Sequence, residues 1–202
     1  MQPFAEWVVG EPGGSDIAPR CPNPVPATRH TYGTAPQQFC DLRVPSSPPD
    51  AGSLRPVAVF VHGGAWKNSW TLDLADACAD DLTHRGWATW NCEYRRVGHI
   101  GDDYAGDEGG GFPGTLLDVA AALDALADVA RAEALDLTRV VLIGHSSGGH
   151  LALWLAQAHR SELLTAHGTQ CRVVPCLVVG QAVRTQAPHP PPSSPPPYQG
   201  DL

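Results

Sequence analysis

Gly144-His145-Ser146-Ser147-Gly148 sets a serine between two glycines in the pattern G-x-S-x-G. Val140-Val141-Leu142-Ile143 runs into it as a short apolar, β-branched segment, and Leu151 to His159 leaves it as an apolar helical one. A strand, a sharp turn and a helix are the setting in which a serine hydroxyl is pushed out as a nucleophile. Its backbone is strained in such a turn, and side chains two positions either side would collide, which calls for glycine at Gly144 and Gly148. The turn also aims a helix N-terminus at negative charge developing on a carbonyl oxygen. The plainer alternative is a glycine-rich turn that only closes a strand-helix junction; the flanking pattern argues against it.

His62-Gly63-Gly64-Ala65-Trp66 follows a second apolar run, Val57 to Val61. Small residues after a buried strand let the backbone approach a substrate and present N–H groups to an oxyanion. Gly64 or Ala65, and Ser147, are the expected donors, with His62, Gly63, Gly144, His145 and Gly148 completing the two motifs. Taken alone, His62 could simply hydrogen-bond in the core and Trp66 fill space. About eighty positions ahead of a nucleophile turn, the oxyanion reading is preferred.

These motifs need strands and helices to hold them. Residues 10 to 36 carry Gly13, Gly14, Pro19, Pro22, Pro24, Pro26 and Pro36, too many breakers for regular structure, so residues 1–36 are read as an irregular, lid-like segment. Gln38 to Val44 alternates as an early strand, and Val57 to Val61 suits a strand buried on both faces of a parallel sheet. Helical spacing of Leu72, Ala75, Cys78, Ala79 and Leu82 predicts a helix over 71–85, stopped by Gly86. Trp87 to Tyr94 returns as a strand. A Gly/Asp-rich loop over 97–112 precedes a helix from Pro113 to about Ala134. After the nucleophile helix only Arg172 to Val179 reads as a further strand, and the proline run from Pro188 ends the chain as a disordered or polyproline-like tail. The domain is therefore placed at residues 37–180, with 181–202 as tail.

Composition narrows the class. With 202 residues, 43% hydrophobic and 17% charged, the chain has a globular makeup sufficient for one domain. Thirteen Lys and Arg against 21 Asp and Glu give a formal charge of -8, so nucleic acid and anionic membrane surfaces are not expected partners. The first residues carry no basic, apolar leader, and a cytoplasmic location is expected. Six cysteines without a C-x-x-C pair are expected as buried free thiols. The acidic loop with Asp102, Asp103, Asp107 and Glu108 lacks calcium-loop spacing and is read as solvated. Trp87 is assigned to core packing, while Trp66 and Trp70 are left as core or substrate-pocket residues.

The chain resembles the esterase and lipase branch of the α/β-hydrolases that carries an H-G-G motif, including formamidase-like and acetylxylan or feruloyl esterase-like members. The matching residues are His62-Gly63-Gly64-Ala65-Trp66, Glu93-Tyr94-Arg95, Gly111-Phe112-Pro113 and Gly144-His145-Ser146-Ser147-Gly148-Gly149-His150, spanning about Tyr32 to His159. The resemblance implies an α/β fold with a mostly parallel sheet and helices on both faces. It also implies hydrolysis of a small-molecule carboxylic ester through an acyl-enzyme at Ser146, without metal or cofactor.

The departure concerns the triad, whose order is Ser, then Asp or Glu, then His. After Ser146 the only acids are Glu162 and Asp201, and the histidines are His150, His159, His167 and His189. Neither acid is well placed, and His150 lies on the nucleophile helix, pointing along it rather than toward a strand-end pocket. Too few residues follow for two further strand-helix units. The expectation is a C-terminally truncated domain without its last strands, the residues after Gly168 reading as a shifted frame of a longer gene. Two alternatives stand beside the esterase: a catalytically incomplete remnant or binding module, and an amide or formamide hydrolase using the same machinery. A sheet ending near Val179 would expose an edge, predicting self-association.

Overall fold

In the computed structural model the described residues are 24–49, 51–98, 107–158, 162–168 and 172–181. Six strands form one sheet: β1 (Thr28–Thr31), β2 (Phe39–Arg43), β3 (Arg55–Val61), β4 (Ala88–Cys92), β5 (Leu135–His145) and β6 (Leu177–Gln181). Their order is β1-β2-β4-β3-β5-β6. β3 lies parallel to β4 and β5, β5 parallel to β6, and the β1-β2 ribbon joins β4 antiparallel. The sheet is thus mixed, with a parallel half that carries both motifs.

The apolar run of β3 explains its central place. Val57, Val59 and Val61 enter the larger core with Leu42, Trp90, Val140 and Leu142, while Ala58 and Phe60 enter a smaller one on the opposite face. Helix α1 (Asp73–His84) covers the smaller cluster through Ala79. Helices α2 (Gly114–Val129) and α3 (Ser147–Ala158) cover the larger through Val119, Leu123, Leu126, Leu151 and Leu155. Trp90 Nε1–H donates to the Ala122 carbonyl at 2.8 Å, satisfying the indole where it is fully buried. Past α1 the chain reverses at Gly86, whose φ of 95° is open to glycine without penalty.

Several boundaries differ from the sequence reading. The breaker-rich stretch expected to be irregular contains β1, drawn into the sheet because Arg29 pairs with Asp41 across the ribbon at 2.8 Å and stacks on Phe39; residues 1–23 lie outside the described ones. Helix α2 stops at Val129, not near Ala134: Ala134 turns to φ 52° and Leu135 enters the core, starting a strand longer than Val140–Ile143. β6 begins at Leu177, not Arg172, because Arg172 N–H is bound by Asp124. A short helix α4 (Glu162–Ala166) was not foreseen. Of the described cysteines Cys40 and Cys92 are buried, but Cys78 and Cys176 are exposed, against the expectation that the thiols are interior. Cys21, Cys171 and most of the proline-rich tail fall outside the described residues.

Among the described residues, one face of the sheet is half covered. α1 shields β3 and β4, but beyond Ile143 the same face continues into Leu177 and Val179, 55% and 50% exposed. No helix among the described residues is long and apolar enough to cross a membrane.

Candidate active site

The G-x-S-x-G segment is the junction of β5 and α3, and Ser146 sits there with φ 55°. A left-handed serine is costly, on the order of 1–3 kcal/mol, and is retained only where its surroundings hold it. Those surroundings are backbone. A Cβ on Gly144 would meet the Gly148 carbonyl, and a Cβ on Gly148 would meet the carbonyl oxygens of Val61 and His62. The end of β3 therefore lies directly against the first turn of α3, closer than any side chain at Gly148 permits.

The H-G-G loop continues from that contact. Gly63 packs on the turn so closely that a Cβ there would stand 2.7 Å from the His145 carbonyl oxygen and 3.1 Å from Ser146 Cβ. The backbone then passes through three left-handed residues, Gly64 (φ 117°), Ala65 (φ 54°) and Trp66 (φ 59°). This curl brings Trp66 N–H to Ser147 Oγ at 3.4 Å. Gly63, Gly64, Ala65, Gly144, Ser146, Ser147 and Gly148 are thereby collected at the carboxyl ends of β3 and β5. His145 is exposed beside the serine, and Trp66, 38% exposed, takes His150 edge-on with ring centroids 5.6 Å apart.

His62 faces the other way. Its side chain is fully buried, stacked on Tyr94 at 4.4 Å, with Nδ1–H donating to the Gly63 carbonyl at 2.7 Å and Nε2 3.0 Å from Glu93 Oε1. Glu93 is the residue whose role sequence reasoning missed. Its Oε2 accepts Leu72 N–H at 3.0 Å and its Oε1 accepts Tyr94 N–H at 2.9 Å, with Arg96 Nη1 3.4 Å away. Burial raises the Glu93 pKa, but hydrogen bonding and charge from His62, with Arg96, outweigh it and leave the carboxyl below its ordinary value. Tyr94 Oη–H donates to the His62 carbonyl at 2.7 Å, and burial lifts its pKa.

Arg96 binds the Trp70 carbonyl and Asp107, so one member of the acidic loop is a structural partner; Asp102 and Asp103 lie outside the described residues. Trp70 lies against Gly64, behind the H-G-G loop, and Trp87 packs on the smaller core.

Among the described residues no histidine and no carboxylate side chain pairs with Ser146. His167 binds the Leu163 carbonyl through Nδ1, while His159, His189 and Asp201 fall outside the described residues, as does the side chain of Glu162.

The BD-FAE family profile matches residues 41–174, a span that contains the H-G-G loop, Glu93 and the G-x-S-x-G turn. The chain belongs to the BD-FAE family. Among solved structures, this BD-FAE chain is similar to esterase B from Lactobacillus rhamnosis HN001, at 27% identity and TM-score 0.63, over 79% of this chain and 48% of that one. An inhibited form of the same esterase gives 26% identity and TM-score 0.60, over 75% and 47%. The carboxylesterase Cest-2923 from Lactobacillus plantarum WCFS1, at 22% identity and TM-score 0.58 over 76% and 54%, shares the fold. The chain thus spans about half the length of the solved structures it matches. Comparison with curated proteins gives no match.

Proposed function

We propose that this BD-FAE chain carries the nucleophile half of a serine-dependent carboxylic ester hydrolase. The observation that carries the reading is Ser146, left-handed at the end of β5, with the curled backbone of Gly63 to Trp66 pressed against it. Ser146 Oγ would attack the acyl carbonyl and form an acyl-enzyme that water then releases. Backbone N–H groups of Gly64, Ala65 and Ser147 would hold the tetrahedral oxyanion, each such donor contributing on the order of a hundredfold or more in rate. The resemblance to structures called esterases supports the ester as substrate class; an amide or formamide would use the same steps. The family resemblance implies a small-molecule ester, with no metal or organic cofactor in these steps. The cytoplasmic location expected from the sequence belongs to the same reading.

A general base is required within hydrogen-bond reach of Ser146, oriented by an acid. The described residues supply neither, which favours a second reading: a folded pocket with an oxyanion site but no activated nucleophile. Fluorophosphonate labelling of the purified protein, read by intact mass beside a Ser146→Ala control, separates the two. Stoichiometric labelling of the wild type that vanishes in the control supports the hydrolase. A folded wild type that stays unlabelled leaves only the incomplete pocket.

A further inference from the structure

Two thiols that play no part at Ser146 face each other on strands at the far side of β3 from it. Cys40 on β2 and Cys92 on β4 are direct partners in the antiparallel register. The adjoining pair is Phe39 and Glu93, and there Glu93 N–H donates to the Phe39 carbonyl at 3.0 Å. Hydrogen-bonded and non-hydrogen-bonded pairs alternate along an antiparallel ladder, so Cys40 and Cys92 occupy a non-hydrogen-bonded site, where opposing Cα atoms stand about 4.5 Å apart and side chains approach most closely. That spacing lies inside the window of about 4.4–6.8 Å that disulfides span. Both side chains point into the larger core, at 0% and 1% exposure, and the Cys92 thiol donates to the Trp90 carbonyl at 3.9 Å.

We infer that Cys40 and Cys92 form a cross-strand disulfide when the chain folds in the presence of a small-molecule disulfide oxidant, stapling the β1-β2 ribbon to β4 directly before Glu93. The chemistry is thiol-disulfide exchange. One cysteine thiolate attacks the oxidant and releases its first thiol, leaving a mixed disulfide. The second cysteine thiolate then displaces the remaining thiol. The protein loses two protons and two electrons, and the oxidant is reduced to two thiols.

Burial dictates when this happens. In the folded sheet, burial above all, then the neighbouring Cys92 thiol, holds Cys40 well above the ordinary thiol pKa, and no oxidant reaches it. Exchange is confined to the interval before β2 closes on β4, or to openings of that ribbon, so the redox state present at folding is afterwards sealed. The staple closes a loop of about fifty residues and constrains the unfolded chain accordingly. Its position ties the edge ribbon to the strand end that carries Glu93.

The test uses the full chain with Cys21, Cys78, Cys171 and Cys176 replaced by serine, and the wild type beside it. Each is refolded from denaturant once with a mixture of oxidised and reduced glutathione and once with dithiothreitol, then unfolded in iodoacetamide and mapped by mass. Glutathione-refolded protein should lack two alkylations, be 2 Da lighter than the unalkylated dithiol by the lost hydrogens, and yield a linked Cys40–Cys92 peptide. Its thermal midpoint should lie about 5–15 °C above the dithiothreitol sample. Native protein already folded reduced should resist the same glutathione mixture. Full alkylation of both cysteines in glutathione-refolded protein with native circular dichroism would overturn the inference, as would Cys40 or Cys92 linked elsewhere in the wild type. If the quadruple variant does not fold, the wild-type peptide map decides alone.

Discussion

His62 Nε2 and Glu93 Oε1 stand 3.0 Å apart at the carboxyl ends of the neighbouring parallel strands β3 and β4, both almost without solvent contact. The histidine that opens the H-G-G motif is thus turned away from Ser146 and serves as the anchor of the loop that faces it. Through Nδ1 it holds the Gly63 carbonyl, and through Glu93 it is tied to Leu72 at the start of α1. His62 therefore positions the loop, and its loss should move it.

Glu93→Gln should therefore cost about 3 kcal/mol of stability at neutral pH, because one partner of a buried pair is left uncompensated. The effect is pH-dependent, with a defined sign. The Glu93 carboxyl titrates below the ordinary glutamate value, so its contribution is fully present above about pH 4.3 and is lost as pH falls through the lower folded value. Thermal midpoints of wild type and variant should draw together as pH falls below about 4.3. A difference that stays constant on acidification would show that the carboxylate charge is not what His62 and Arg96 hold.

Gly148→Ala should destabilise by about 2–3 kcal/mol and abolish probe labelling. Two effects compete. Alanine is favoured over glycine inside a helix by about 1 kcal/mol. Against that, the added methyl meets the carbonyl oxygens of Val61 and His62, which belong to backbone at the end of the central strand and have no rotamer to yield. The clash should win, and denaturant titration reads it. A stabilised variant would mean that β3 and α3 are less tightly apposed than described.

The half-covered sheet face predicts self-association. β6 is the edge of the sheet among the described residues, and Leu177 and Val179 extend the apolar row begun by Ile143. An uncovered edge strand with such a face is a template for a second copy. Sedimentation velocity should show dimers or larger species at micromolar concentration, shifted to monomer by the double substitution Leu177→Lys and Val179→Lys. A wild type that sediments as a monomer throughout that range counts against the expectation.

How much of this was legible in the residues follows a physical division. Local signals carried far. The apolar runs of β3 and β5, the helical spacing of α1 and the glycines flanking Ser146 report backbone geometry that neighbouring residues largely decide, and they named the fold class and the two motifs that meet. β1 was hidden because its pairing rests on Arg29 reaching Asp41, a contact between strands that no local periodicity records. Glu93 was hidden for the same reason: as a lone acid after a strand it is ordinary, and only the register that sets β4 beside β3 turns it toward His62. Cys40 and Cys92, 52 positions apart in the chain, became opposite partners only through the antiparallel register of β2 and β4. The sequence by itself determined which residues can do chemistry and which elements carry them; the tertiary structure alone decided which buried polar groups satisfy one another, because that depends on strand order and register, set by contacts distant in the chain.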